Sequence, residues 1–366
     1  MPGIRSIGWY VPHSRRDSAS IARDYSVTVK ALEQFGLSSH TLPDAQDHPS
    51  TMGARATQAA LDAAGLDVSD LELLIFAGMT RDYPAPWVAA FAVLHELDAA
   101  HAAGFDLSNR CPAIGDGLWI AANLVRSGSY GCIAVCAADR FDYLLGPPRR
   151  VDHISDTAYS AGAAAVIVTS DAANEVAAFS FKTNDDLSLH EQYCPKVGGT
   201  RAPITRAALE EGLHWWKNTA RLSQTEKLMK FLQAADRHNI TQVCERAGFG
   251  EIDFLVGAPL DVKAQLAFLQ TLGIGSEKTL ITVPRLGHMG GADSVIALGL
   301  AVASGRDIGR RVVMSTRSVL YSNAVALKAI GATMGIATGG WGLDVTSWRE
   351  GQQELARMVA PVRDAG

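Results

Sequence analysis

The chain has 366 residues, 48% of them hydrophobic, with 33 Lys and Arg against 38 Asp and Glu and a net charge of −5. That size supports one large core or two fused halves, and the lack of a basic excess argues against a nucleic-acid partner. No uninterrupted apolar run reaches the roughly 18 residues of a membrane span, and five scattered cysteines point to a reducing, cytoplasmic setting rather than a disulfide framework.

In chain order, residues 1–10 read as a strand rather than a leader peptide. A helix ending at Gly65 and a buried strand over Leu71–Ala77 follow. Cys111 then opens a helical run that closes at Ser127-Gly128. Cys132 and Cys136 share one face of the next strand, as buried thiols without zinc-ligand spacing. Arg149 and Arg150 follow Pro147-Pro148, and Ala161–Val168 is a small-residue turn and strand. The second half repeats this order. A helix ends at Gly248, a strand follows over 252–257, and His288 opens a helix closing at Ser304-Gly305. A β-rich run over 311–316 comes next, and then Thr338-Gly-Gly-Trp-Gly. Gly128 follows Cys111 by 17 positions, and Gly305 follows His288 by the same 17.

The duplication predicts an α/β molecule with halves 1–175 and 176–366, mixed or parallel sheets, and helices shared between two sheets. The stretch at about 181–239 has no counterpart in the first half. It reads as an insertion forming a lid or a pocket wall. Trp215 and Trp216 within it either line an acceptor pocket or cover the core.

Gly104-Phe-Asp-Leu-Ser-Asn-Arg-Cys111 resembles the nucleophile motif of the ketosynthase III group of the thiolase fold. Ala161-Gly-Ala-Ala-Ala-Val and Gly335-Ile-Ala-Thr-Gly-Gly-Trp-Gly342 resemble two further glycine-rich motifs of that group. The resemblance implies a five-layered αβαβα molecule, a homodimer, and a thioester donor carried on coenzyme A or an acyl carrier protein. It implies no cofactor and no metal. It also places Lys263 where these enzymes keep an arginine that contacts carrier protein. Arg149 and Arg150 are candidates for the coenzyme A phosphates, with plain surface charge as the alternative.

Two departures from the pattern bear on function. The family's catalytic His falls at Ala258 and its neighbouring Asn at Asp261, while the second catalytic Asn is replaced by His288. The set Cys, Asp and His resembles ketosynthase III-like acyltransferases that form esters in polyketide biosynthesis, of the cervimycin type. Chemically, Pro112 favours a helix start, so Cys111 is expected to cap a helix whose N-terminus favours the thiolate. The Cys111 N–H and one from Ala337 or Thr338 would hold the oxyanion. Loss of one enolate donor at Ala258 weakens condensation by about 10²–10³. His288 is expected to act as base toward an acceptor hydroxyl or amine, oriented by Asp261 or Asp293. The rival readings are a starter-unit ketosynthase and a non-catalytic ketosynthase-like partner subunit.

Overall fold

The computed structural model describes residues 1–145, 151, 153–216, 222–257, 259–328, 334–337, 343, 345 and 348. The first half runs β1 (Gly3–Tyr10), β2 (Ser14–Asp17), α1 (Ser18–Tyr25), α2 (Val29–Phe35), β3 (Ser39–Leu42), α3 (Pro49–Ala64), β4 (Leu73–Phe76), α4 (Ala89–Glu96), β5 (Ala103–Asp106), α5 (Ala113–Arg126), β6 (Cys132–Arg140), α6 (Asp142–Leu145) and β7 (Ala161–Thr169). The second half runs β8 (Asn174–Thr183), α7 (Leu187–Gln192), α8 (Arg206–Glu210), α9 (Leu222–Ala247), β9 (Phe254–Gly257), α10 (Val262–Gln270), α11 (Val283–Leu286), α12 (Ala292–Ala303), β10 (Arg311–Arg317), β11 (Tyr321–Lys328) and β12 (Gly335–Ile336).

The strands of the first half lie in the order β5-β4-β6-β7-β1, and those of the second in the order β9-β10-β11-β8. β4 pairs parallel with β5 and β6, whereas β7 runs antiparallel to β6 and β1. The second half repeats the directions: β9 and β10 are parallel, and β11 is antiparallel to β10 and β8. Leu255 of β9 also bridges Thr279 in parallel, where β5 lies beside β4. The two sheets are not wholly separate. Gly3 and Ile4 of β1 pair with Glu175 and Asn174 of β8, and hydrogen bonding runs through ten strands.

The layers follow from which faces are apolar. α12 is buried from Ala292 through Ala301, and apolar positions around most of its circumference suit a helix enclosed on all sides. It packs on β1, β6 and β7 of one half and on β9 and β10 of the other; α5 likewise touches strands of both halves. α3 and α4 cover the outer face of the first sheet, and α9 and α10 that of the second. Cys132 and Cys136 face α3 and α4 together in the outer cluster, and burial pushes both thiols up to about 12. The insertion is shorter than the sequence suggested. β8 reaches Thr183, and α9 continues unbroken from Leu222 through residue 239 to cover β8 and β11, as α3 covers β1 and β7. Between β8 and α9 lie α7 and α8, where the first half has β2, α1, α2 and β3 between β1 and α3. A long polar run hid the start of α9.

Candidate active site

The site forms where α5 and α12 begin, between the two sheets. Arg110 adopts a left-handed backbone, φ 56°, and turns the chain into Pro112, which caps α5. Cys111 thus stands just ahead of the helix rather than capping it, because the Pro112 carbonyl accepts the first helical N–H groups, from Gly115 and Asp116.

His288 is placed by backbone pairing. Its N–H donates to the Ala158 carbonyl at 2.6 Å, and its carbonyl accepts from the Ser160 N–H at 3.0 Å. Gly287 makes this possible at φ 75°, since a Cβ there would lie 2.6 Å from the Ala158 oxygen and 2.7 Å from the His40 Cβ. Tyr159 and Phe141 flank the ring, with centroids 5.5 and 6.0 Å away.

Cys111 Sγ lies 3.4 Å from His288 Nε2, and His288 Nδ1 lies 2.6 Å from Asp293 Oδ2. Asp293 Oδ1 accepts from the Met289 N–H at 2.9 Å, which fixes the carboxylate in the first turn of α12. Both His288 and Asp293 are buried. Burial opposes protonation of the imidazole, but the charges of Asp293 and Cys111 outweigh it and push His288 up to about 10. The imidazole is thus held between Asp293 and the cysteine sulfur, and both favour its protonated form. Tyr159 stays a neutral hydroxyl, because burial raises it well above 10.

Cys111 and His288 open into a cavity of about 370 Å³, walled by Phe141, Tyr159, Trp216, Leu228, Leu232 and Val319 among others, with Asp293 buried behind the imidazole. Trp216 is a wall residue, its ring 5.0 Å from that of Tyr159. Trp215 does not line the cavity and packs on His214 at 4.1 Å.

Several expectations need correction. Asp261 lines the cavity but does not orient His288: its Oδ1 accepts from the Ala264 N–H at 2.9 Å, as the N-cap of α10. The Ala337 N–H is not available to an oxyanion, since it donates to the Ile7 carbonyl at 3.1 Å and extends the pairing of β12 with β1. Thr338, Ala258, Arg149 and Arg150 lie outside the described residues. Lys263 is exposed on α10 and is not among the cavity residues.

The sequence reading missed a second carboxylate. Asp116 follows Cys111 by the same five positions that separate Asp293 from His288. Asp116 Oδ1 accepts from Tyr321 Oη at 2.7 Å and from Asn323 Nδ2 at 2.8 Å, and Asn323 Nδ2 also reaches the Pro112 carbonyl at 2.9 Å. The repeat itself carried that signal. Tyr159 and Phe141 were missed because only the fold brings them to the ring.

The family model for 3-oxoacyl-[acyl-carrier-protein (ACP)] synthase III matches residues 105–186, which include Cys111. The beta-ketoacyl-[acyl-carrier-protein] synthase III of Symbiobacterium thermophilum is 26% identical over 307 residues, 83% of this chain and 90% of that protein. Its counterpart in Clostridioides difficile is 23% identical over the same shares. Among solved structures, 3-oxoacyl-(acyl carrier protein) synthase III from Pseudomonas aeruginosa superposes with a TM-score of 0.75 at 20% identity, over 90% of this chain and 98% of that one. The priming β-ketosynthase of the R1128 polyketide pathway gives 0.76 at 20% identity, over 90% and 96%. Sheet order, shared central helices and these likenesses define a thiolase-fold protein. Within that fold the chain is similar to the 3-oxoacyl carrier-protein synthases III.

Proposed function

We propose that the protein is an acyltransferase that loads an acyl group on Cys111 from a coenzyme A or carrier-protein thioester. It then passes the acyl group to a hydroxyl, or an amine, of a small-molecule acceptor. The observation that carries the reading is the chain Cys111–His288–Asp293, with contacts of 3.4 and 2.6 Å. In the loading step the thiolate attacks the thioester carbonyl and forms a new C–S bond. The donor thiolate leaves with the imidazolium proton. His288, now neutral beside an uncharged acyl-Cys, can accept the proton of an acceptor hydroxyl as its oxygen attacks the acyl carbon. The Cys111 sulfur departs as the leaving group and His288 keeps the proton taken from the acceptor, so the protons balance over the cycle. No step needs a metal or a cofactor. The Cys111 N–H is the proposed oxyanion donor. A homodimer in the cytoplasm, Lys263 as a carrier-protein contact, and service in polyketide or other secondary metabolism complete the proposal.

A second reading is favoured by the similar proteins of Symbiobacterium thermophilum and Clostridioides difficile, which are beta-ketoacyl-[acyl-carrier-protein] synthases III. Condensation would release carbon dioxide from a malonyl thioester and yield a β-ketoacyl product. Incubation with an acyl thioester plus carboxyl-labelled malonyl thioester separates the two: the acyltransferase reading expects acyl-Cys111 without labelled carbon dioxide. A stoichiometric yield of labelled gas would establish the condensing reading instead.

A further inference from the structure

Asp139 is a buried carboxylate near the end of β6 that the reaction above does not use. Ile133, Val135 and Ala137 of β6 face the central cluster, and Asp139 continues that face toward the start of α12. Its two oxygens are served unequally. Oδ1 accepts from the Met79 N–H at 2.7 Å, the Thr80 N–H at 2.7 Å and Thr80 Oγ1 at 3.1 Å. Oδ2 has no donor among the described residues. It bears instead on Gly290, where a Cβ would lie 2.2 Å from it. A buried carboxylate with one oxygen unmet costs free energy that an apolar side chain of similar size would not.

Both of its neighbours belong to the site. Met79 lines the Cys111 cavity, and Gly290 stands two positions after His288. Gly291 abuts the other reactive residue: a Cβ there would lie 2.9 Å from the Cys111 carbonyl oxygen. The link from His288 to α12 is thus wedged between Asp139 and the Cys111 backbone. We infer that Asp139 is a positioning residue that sets this link against the cavity wall, and that Cys111 reacts at full rate only while the Asp139 carboxylate is charged. Charge matters because it strengthens the three hydrogen bonds that hold the 79–80 turn. The inference rests on acyl loading of Cys111 as read above.

Burial raises Asp139 from the usual 3.8 to about 6, so its neutral form gains as pH falls through that value. Arg81 opposes the rise but is itself paired with Asp106 at 2.8 Å. Tyr143 of α6 and Cys136 of β6 stay neutral there, each raised by burial. Arg140 turns to Asp142, and Asp293 of α12 to His288. From β7 the residue opposite Asp139 is Gly162, which carries no charge.

The test follows Cys111 loading by acetyl-pantetheine, a donor with no titrating group between about pH 5 and pH 8, by intact-mass spectrometry. Asp139→Asn keeps the shape of the side chain and cannot change charge. The ratio of wild-type to Asp139→Asn rate cancels other titrating groups. It should be about tenfold at about pH 8, the scale of one charge-assisted hydrogen bond, and fall to about one at about pH 5. A structural role alone gives a ratio that does not change with pH, and that result overturns the inference. Thr80→Val removes one donor to the charged form and should move the acid loss of rate to higher pH than in wild type. An unmoved profile overturns the inference even where Asp139→Asn does not fold. If no acyl group loads at any pH, the acyltransferase reading falls by itself. Alkylation of Cys111 by iodoacetamide over the same range, with the same variants, then decides the role of Asp139 by the same ratio.

Discussion

Asp293 shows how one carboxylate sets the state of the site. It is fully buried, holds His288 Nδ1 at 2.6 Å and is itself held by the Met289 N–H. Asp293→Asn keeps its shape and removes the charge that lifts the imidazole. Turnover should fall by about 10³–10⁴, by analogy with other nucleophile–base–carboxylate sites. The His288 titration, followed by NMR, should drop well below about 10, since burial then meets less opposition. An unmoved titration would show that Asp293 is not the source of the lift. Sequence alone left Asp261 and Asp293 as rivals, because both lie near a helix start. Their difference is geometric: Asp261 caps its own helix, and Asp293 reaches the ring. His40 makes the opposite case. Burial lowers it to about 4, and its Nδ1–H donates to the Thr157 carbonyl at 3.0 Å. A folded pKa below the unfolded 6.5 means that the unfolded chain takes up the proton first. Stability from this residue is present above pH 6.5 and is lost as pH falls toward 4, by up to about 3 kcal/mol. His40→Gln should flatten the urea midpoint across that window relative to wild type; an equal acid slope in both proteins would contradict the assignment.

At the scale of elements, the starts of α5 and α12 frame the candidate site, and each has its own brace. Asn323 ties the Pro112 carbonyl and Asp116 to β11 and accepts from Thr316 Oγ1 at 2.6 Å. It is fully buried, so Asn323→Ala strands several polar partners. It should cost about 2–3 kcal/mol in urea unfolding and lower the loading rate of Cys111 as well. At α12 the brace is the backbone pairing of His288 with residues 158–160, which Gly287 permits. Gly287→Ala should cost at least about 1–3 kcal/mol from the left-handed φ alone, measured by the same unfolding. The repeated motif was legible as two matched helix starts because their residue types recur in order. The braces were not legible, since Asn323 lies on a strand of the other half and touches Pro112 only through the fold. The insertion boundary was misplaced for a related reason: the polar first turns of α9 look like a loop until β8 and β11 supply its apolar partner.

For the whole molecule, duplication explains the shape. Each half contributes one central helix, and each of those helices packs against both halves. Neither half can bury its inner sheet face alone, so the account expects one cooperative unfolding transition, with tryptophan fluorescence and far-ultraviolet circular dichroism coinciding. Two separated transitions would contradict a shared core. The α/β class and the meeting of Cys111 with His288 were readable from order and spacing, whereas the linkage of the sheets through β1 and β8 rests on two residue pairs that no motif marks. The same architecture brings Cys111 and His288, 177 positions apart, to within 3.4 Å. Peptide mapping by mass spectrometry after incubation with an acyl-pantetheine thioester tests the central claim most directly. The account predicts one acyl adduct, on the peptide containing Cys111, that disappears in Cys111→Ala; no adduct, or an adduct that persists in that variant, would contradict it.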